Sequence, residues 1–414
     1  MERWKINLYT LWVTQVFSLM GFGICIPFTP FFLQELGVTD ITQLNYYVGL
    51  TYTLTAATMA VAAPIWGIAS DRFGRKVMIM RAMLCAAILL VLMGFVTDVW
   101  QFLFLRALQG IFTGTITASM GFVSANTPEN RMSYALGLMT SSNFLGNSIG
   151  PVFGGILAEF TGYRFCFGIG GALMATGFLL VVFLVKEDKN TYGYRIRSAG
   201  GTNEKHSGIL EPFIVAILFT LLFQRISRSV FLPFIPLYVQ ETLGTITGAA
   251  TYTGIINGSV SLATAISALT ITRLGDKHNK MKLSFILLII AVPAAILFNA
   301  IQWLPLFVVF FTVYFFLAGG TEPILTSAAS ERIPAGMRGA LFGMVGTVGC
   351  IGAMIAPMMG SYISVEFGIR AILTVIPAFT LVQIACLYIS KRTSQKFSIN
   401  KIEKDEKTGQ KKVV

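Results

Sequence analysis

The chain has 414 residues, of which 55% are hydrophobic and only 12% are charged. A soluble domain carries about 25% charged residues, so this composition excludes an ordinary soluble protein and indicates a chain surrounded by lipid. The formal net charge is +12. It does not indicate nucleic-acid binding, because the basic residues lie in short segments between apolar runs and form no stripe interleaved with exposed aromatic residues.

Twelve apolar runs are long enough to cross a bilayer as helices, which takes about 20 residues each. The first run is longer than the core of a signal peptide, and no small-residue cleavage site follows it, so we expect it to be retained as a membrane helix. The predicted spans are 8–33, 45–69, 77–97, 99–122, 133–158, 164–185, 211–239, 248–271, 282–300, 304–328, 340–362 and 369–390.

Basic residues are distributed unevenly between the two sides of this pattern. If both termini are cytoplasmic, all but five of the 31 Lys and Arg residues lie in cytoplasmic segments. Of these five, Arg164 and Arg370 lie in outer loops, whereas Arg106, Arg225 and Arg228 lie inside spans. The positive-inside rule therefore predicts a multi-pass protein of the cell (inner or plasma) membrane with both termini in the cytoplasm.

The sequence repeats itself at a shift of 206 residues. The shift places Pro27, Pro30, Gly146, Pro151 and Gly162 on Pro233, Pro236, Gly352, Pro357 and Gly368. The predicted fold is therefore an all-α membrane protein with twelve transmembrane helices in two pseudo-symmetric six-helix bundles. Repeats of this kind place a substrate site between the halves near the bilayer midplane.

Composition divides the chain into four parts. We predict an N-terminal six-helix bundle over residues 1–185 and a C-terminal six-helix bundle over 209–391. The cytoplasmic linker between them, 186–208, is rich in charge, Gly, Asn and Thr. The tail, 392–414, mixes Lys with Asp and Glu, and we predict that it is disordered.

The loop after the second span carries a spaced set of glycines and charges: Gly67, Asp71, Arg72, Gly74, Arg75 and Lys76. We expect Gly67 to allow close helix contact and Gly74 to permit a tight turn. Asp71 can accept hydrogen bonds from helix N-termini or an arginine and so form a charge lock on the cytoplasmic face. The loop resembles the signature loop of the major facilitator superfamily, which implies the fold of that family.

The fifth span carries a glycine and proline pattern: Gly137, Gly146, Gly150, Pro151, Gly154 and Gly155. Glycines four residues apart let two helices approach closely, and proline bends a helix, so the span suits a gate. The pattern resembles the antiporter motif of the bacterial twelve-span drug:proton antiporters. In the fourth span, Arg106 resembles the arginine motif to which this family's proton coupling is attributed. From the residues alone, Arg106 could instead extend its side chain to the outer interface.

Two spans of the second half depart from these relatives. Gln224, Arg225 and Arg228 lie in the seventh span, and Glu322 is the one clear carboxylate well inside a span. In one interpretation Glu322 carries a coupling proton and pairs with an arginine. In a second, Gln224 and the arginines bind an anionic substrate with Glu322 beside them. In a third, the charges form a buried salt bridge that sets the helix register.

Together with these residues, the resemblance to the drug:proton antiporters implies a proton-coupled antiporter that exports small organic molecules by alternating access, with multidrug efflux as its activity. The alternative is a dedicated exporter of an anionic metabolite, such as a carboxylate siderophore, and an uptake symporter is less favoured. We expect a monomer whose partners are a small-molecule substrate, protons and the lipid bilayer. No enzyme, cofactor or metal site is predicted, since no nucleophile–base pair is visible and the only histidines, His206 and His278, lie in polar loops.

Overall fold

The computed structural model describes residues 2–187, 212–333 and 337–407, without the side chains of Asp71, Glu129, 338–339 and 391–407. These ranges fold into helices and contain no strand. The first half contains α1 (Arg3–Cys25), α2 (Thr29–Glu35), α3 (Ile41–Phe73), α4 (Arg75–Gly94), α5 (Val99–Phe112), α6 (Thr115–Asn126), α7 (Met132–Thr161) and α8 (Tyr163–Leu184). The second half contains α9 (Pro212–Ser229), α10 (Ile235–Leu243), α11 (Ala249–Lys277), α12 (Lys280–Ala300), α13 (Leu304–Gly319), α14 (Thr321–Arg332), α15 (Arg338–Phe367) and α16 (Ala371–Lys407).

Each half crosses the membrane six times, because four spans consist of two helices in line: α1 with α2, α5 with α6, α9 with α10, and α13 with α14. Within the described ranges, 10 helical segments are long and apolar enough to cross a membrane. The α5–α6 span is not among them because its pieces have only 14 and 12 residues. The second span that is not among the 10 is α7, because its many Gly, Ser and Asn residues make it less apolar. The predicted all-α, two-bundle fold is confirmed.

The backbone follows the 206-residue repeat closely. Helices α7 and α15 correspond residue for residue, and each ends at a glycine of positive φ, Gly162 at 82° and Gly368 at 86°. The repeat also relates two helix breaks that the sequence did not predict. Gly114, with φ of 123°, separates α5 from α6, and its equivalent Gly320 separates α13 from α14. The positive φ of Gly114 favours glycine strongly at that position, because any Cβ would be strained there.

The halves meet along two seams, α7 against α11 and α3 against α15. The face that carries the start of α1 and the ends of α8 and α14 is called the termini face here, and the other is the opposite face. Towards the opposite face the seams are tight: a Cβ on Gly155 would lie 2.5 Å from the Ala250 carbonyl oxygen. The amides of Gln34 and Gln240, related by the repeat, also exchange hydrogen bonds of 2.8 and 3.3 Å there.

The seams are open towards the termini face. A Cβ on Gly137 of α7, or on its repeat equivalent Gly343 of α15, would meet no atom within 4 Å. The two halves therefore touch at the opposite face and stand apart at the termini face.

The structure describes only part of the segments that lie outside the two bundles. Most of the predicted linker lies outside the described residues. Helix α16 continues to Lys407, whereas the sequence predicted a disordered tail from residue 392. Lys, Glu and Gln are good helix formers, and an existing helix can be extended without a new nucleus. Residues 408–414 lie outside the described part of the chain.

We predict that Gly155→Ala lowers the melting temperature of the detergent-solubilised protein, because the new methyl group meets the Ala250 carbonyl oxygen. Overpacking of this kind costs about 1–3 kcal/mol. The matched control is Gly137→Ala in the same helix, which meets no atom and should leave the melting temperature unchanged or raise it. Thermal unfolding measured by tryptophan fluorescence tests this. Equal destabilisation by both substitutions would contradict the tight seam.

Candidate functional site

The loop between α3 and α4 is tied to its own half of the protein. Gly74 adopts φ of 96°, which confirms the predicted turn. The backbone N–H groups of Arg75 and Lys76 donate to the Glu187 carboxylate at 3.1 and 2.9 Å. The Arg75 guanidinium donates to the Gly121 carbonyl. Glu187 therefore caps the N-terminus of α4. The sequence gives no sign of this role, because Glu187 lies in the charge-rich stretch predicted to be the linker.

One predicted role in this loop, that of Gly67, differs from the structure. Another, that of Asp71, depends on a side chain that the structure does not describe. A Cβ on Gly67 would meet no atom within 4 Å, so the predicted close helix contact at Gly67 is wrong. The physical reason is that the seams are open at the termini face, where Gly67 lies. Arg72 is exposed and lies 5.6 Å from the Phe73 ring centre. The charge lock assigned to Asp71 involves a side chain outside the described set, so it stays a prediction.

The glycines of α7 contact two different helices. A Cβ on Gly146 would lie 2.6 Å from the Leu19 Cβ atom, and one on Gly150 would lie 3.0 Å from the Gly23 Cα atom, both in α1. Gly154 also faces α1, whereas Gly155 faces α11 in the other half. Pro151 lies inside α7 at the same level. The motif therefore holds α7 against α1 and, at the end of the motif nearest the opposite face, against α11 across the seam.

Glu322 lies between two arginines at the start of α14. Its carboxylate oxygens lie 3.2 Å from Arg228 Nη1 and 3.9 Å from Arg225 Nη2. The side chain of Glu322 is 35% exposed, so the cluster is accessible and not sealed in a core. Gln224, which is 2% exposed, donates to the Ala318 carbonyl at 2.8 Å and to Thr321 Oγ1 at 2.7 Å. Gln224 thus joins α9 to the helix break from which Glu322 projects.

A glycine of α15 makes room for Arg225. A Cβ on Gly352 would lie 2.8 Å from Arg225 Cγ. In the first half, the repeat-related Gly146 faces Leu19 in the same way, with 2.6 Å between the built Cβ and the Leu19 Cβ atom. The second half therefore uses the space that a leucine occupies in the first half to hold an arginine beside Glu322.

Arg106 is buried in the first half. It is 3% exposed, and its Nη1 donates to Gln109 Oε1 at 2.5 Å. Its guanidinium lies 5.5 Å from the Tyr52 ring centre, and its Nε has no hydrogen-bond partner in the described residues. The side chain turns into the protein, so extension to the outer interface is wrong. No carboxylate lies within 4 Å of Arg106 among the described side chains.

A cavity of about 540 Å³ lies between the two halves. Ligand pockets of this size hold small organic molecules. Both Arg106 and Arg228 line it, so the structure brings these two predicted residues to one cavity, and the Glu322 cluster adjoins it through Arg228. Its walls also carry aromatic and amide side chains that the sequence analysis did not single out: Phe22, Tyr52, Gln109, Phe144, Asn147, Asn257 and Phe315. Their positions follow from the seams, which no local motif encodes.

Two pseudo-symmetric six-helix halves around a central cavity, with charged side chains inside the spans, define a membrane transporter. The chain belongs to the Major Facilitator Superfamily, whose family model matches residues 11–213 and 217–412. It is therefore a transporter and not an enzyme.

The multidrug resistance protein MdtG of Proteus mirabilis is 29% identical over 95% of this chain and 98% of its own length. MdtG of Salmonella arizonae is 31% identical over 90% of this chain and 92% of its own. The fold is similar to that of a bacterial homologue of the human lysosomal transporter Spinster in an inward-facing and occupied conformation. That structure has a TM-score of 0.79 and 14% identity, covering 95% of this chain and 98% of that chain. The two MdtG proteins support the resemblance to multidrug exporters, and the Spinster homologue supports the fold alone.

We predict that Glu322 is coupled more strongly to Arg228 than to Arg225, because the first pair is closer. Coupling energies from double-mutant cycles on Glu322→Gln with Arg228→Met should be about 1–2 kcal/mol, and with Arg225→Met less than about 1 kcal/mol. Denaturant unfolding in detergent measures both cycles. Equal coupling, or a larger value for Arg225, would contradict the geometry.

Proposed function

We propose that this chain is a proton-coupled antiporter that exports small organic molecules by alternating access, with multidrug efflux as its activity. The observation that carries the proposal is the position of Glu322, a carboxylate inside a span that faces two arginines beside the central cavity. The similarity to proteins named for multidrug resistance supports the choice of substrate. One chain supplies both walls of the cavity, so we propose a monomer.

Protonation of Glu322 is the proposed coupling step. Ionised Glu322 attracts Arg225 and Arg228 and so links α9 to α14. A proton on the carboxylate removes the negative charge, and both arginines are then free to bind elsewhere. Because Arg228 of α9 lines the cavity and pairs with Glu322 of α14, this link is coupled to the shape of the site. A change at one titratable group can thus bias the whole carrier between two states.

The seams are the proposed gates. In the described state the halves touch at the opposite face and the cavity opens towards the termini face. Lys and Arg residues are concentrated in the segments of the termini face, so we propose that this face is cytoplasmic, in the cell membrane. The described state would then receive substrate from the cytoplasm. Export requires the glycine-rich contacts between α7 and α11 to separate.

Glu322→Gln should abolish substrate accumulation driven by a pH gradient in proteoliposomes, because glutamine cannot take up a proton. Exchange of labelled for unlabelled substrate without a gradient should continue, which shows that the variant folds. The matched control is Glu331→Gln at the far end of α14, an exposed residue paired with Lys280, which should transport like the wild type. Full gradient-driven transport by Glu322→Gln would overturn the proposal.

A second candidate function is the export of an anionic metabolite. The observation that favours it is the surplus of arginine: Arg225 and Arg228 share one carboxylate, and Arg106 has none within 4 Å among the described side chains. Guanidinium groups bind carboxylates and phosphates through charge-assisted hydrogen bonds.

Arg225→Ala distinguishes the two candidates. If the cargo is anionic, the variant should lose about tenfold to a hundredfold in affinity for an anionic compound and retain neutral and cationic ones, because it loses a charge-assisted bond. Competition binding with compounds of one scaffold that differ only in charge measures this. Equal losses for all three charge types would count against the anionic cargo.

A further inference from the structure

A second cavity of about 490 Å³ lies beside the central one, along the seam between α7 and α11. It is lined almost wholly by apolar side chains, among them Phe144, Leu145, Phe153, Ile255 and Leu262. Four of these apolar residues, Leu145, Phe153, Ile255 and Leu262, are exposed on the surface of the protein. In a membrane protein such a surface at mid-span faces hydrocarbon, so this crevice opens to the lipid.

The two cavities lie on opposite sides of the seam. On α7, Asn147 and Pro151 line the central cavity, whereas residues on the adjoining face of the same helix line the crevice. The helices touch between them, because a Cβ on Gly258 would lie 2.8 Å from the Ser148 carbonyl oxygen. Further towards the termini face the seam opens, as the empty surroundings of Gly137 show.

Phe144 is the one side chain that lines both cavities. It lies at the level where the tight part of the seam ends, about 18 Å along the axis of α7 from Met132. Its ring is partly buried and stands between hydrocarbon on one side and the polar wall of the central cavity on the other.

We propose that the crevice is a lateral portal to the bilayer, gated by Phe144, through which an amphiphilic substrate enters until its polar head lies in the central cavity. The substrate class is a small amphiphile whose apolar tail then occupies the crevice and whose polar head binds at the amides of the cavity, Asn147 and Asn257. The proposal rests on the proposed export function and deepens it. Placing a charged or strongly polar group at this depth in the bilayer costs free energy. Water-soluble substrates therefore enter the central cavity from the open termini face instead.

The test uses two rhodamine esters that share one head group and carry either an ethyl or a dodecyl chain. Their initial rates of pH-gradient-driven transport are measured in proteoliposomes for wild type, Phe144→Trp and Phe144→Ala. Phe144→Trp should slow the dodecyl ester about tenfold more than the ethyl ester, because overpacking the gap costs more than about 1 kcal/mol, whereas any effect on the central cavity is shared by both esters. Phe144→Ala should transport the dodecyl ester at least as fast as the wild type.

The control variant is Phe22→Trp, because Phe22 lines the central cavity but not the crevice. It should affect both esters alike. Measurable transport of the ethyl ester by Phe144→Trp shows that this variant is folded. Equal slowing of both esters by Phe144→Trp, or no slowing of either, would overturn the portal and leave the export function standing. If the wild type transports neither ester, both proposals fall.

Discussion

The carboxylate of Glu322 is shared by Arg225 and Arg228 inside the membrane-spanning part of the protein, and the second half is arranged around this cluster. Each of these charges would be expensive alone in a span. Two features allow the cluster to exist. Gln224 satisfies the backbone at the break before α14, and Gly352 leaves space for Arg225. Packing, hydrogen bonding and charge therefore depend on one another at this site.

The two halves have diverged from a common plan in a consistent way. Gly146 and Gly352 hold equivalent positions, yet the first faces Leu19 and the second faces Arg225. The first half keeps the glycines that press α7 against α1, and it holds Arg106 against Gln109. The first half is therefore specialised for helix contacts and the second for charge. In our account, gating is built mainly on the former and proton coupling on the latter.

Much of the fold could be predicted from the sequence because lipid imposes simple rules. Apolar length predicts spans, and the 206-residue shift predicts the two bundles. Local backbone chemistry was also predictable, as the turn at Gly74 shows. The breaks at Gly114 and Gly320 were not predicted, since a glycine within an apolar run usually leaves the helix intact and only its surroundings decide otherwise.

The candidate site was predictable only as a set of residues. The unusual charges Arg225, Arg228 and Glu322 were visible as rare residues in spans, but their mutual distances depend on how α9 packs on α14. The error at Gly67 has the same origin: a glycine that permits contact does not show whether the conformation makes it. The role of Phe144 follows from the seam between halves, and one phenylalanine among 34 carries no signal in the sequence.

The central claim is that the charge on Glu322 controls which face of the carrier is closed. Its most direct test is a pair of spin-label distances measured by pulsed electron paramagnetic resonance as a function of pH. One pair, on Ile41 and Ile246, spans the opposite face at exposed positions, and the other, on Gly137 and Gly343, spans the termini face where a side chain meets no atom. The account predicts that a change of pH shifts the two distances in opposite senses in the wild type and shifts neither in Glu322→Gln. A full pH response in that variant, or two distances that change in the same sense, would contradict it.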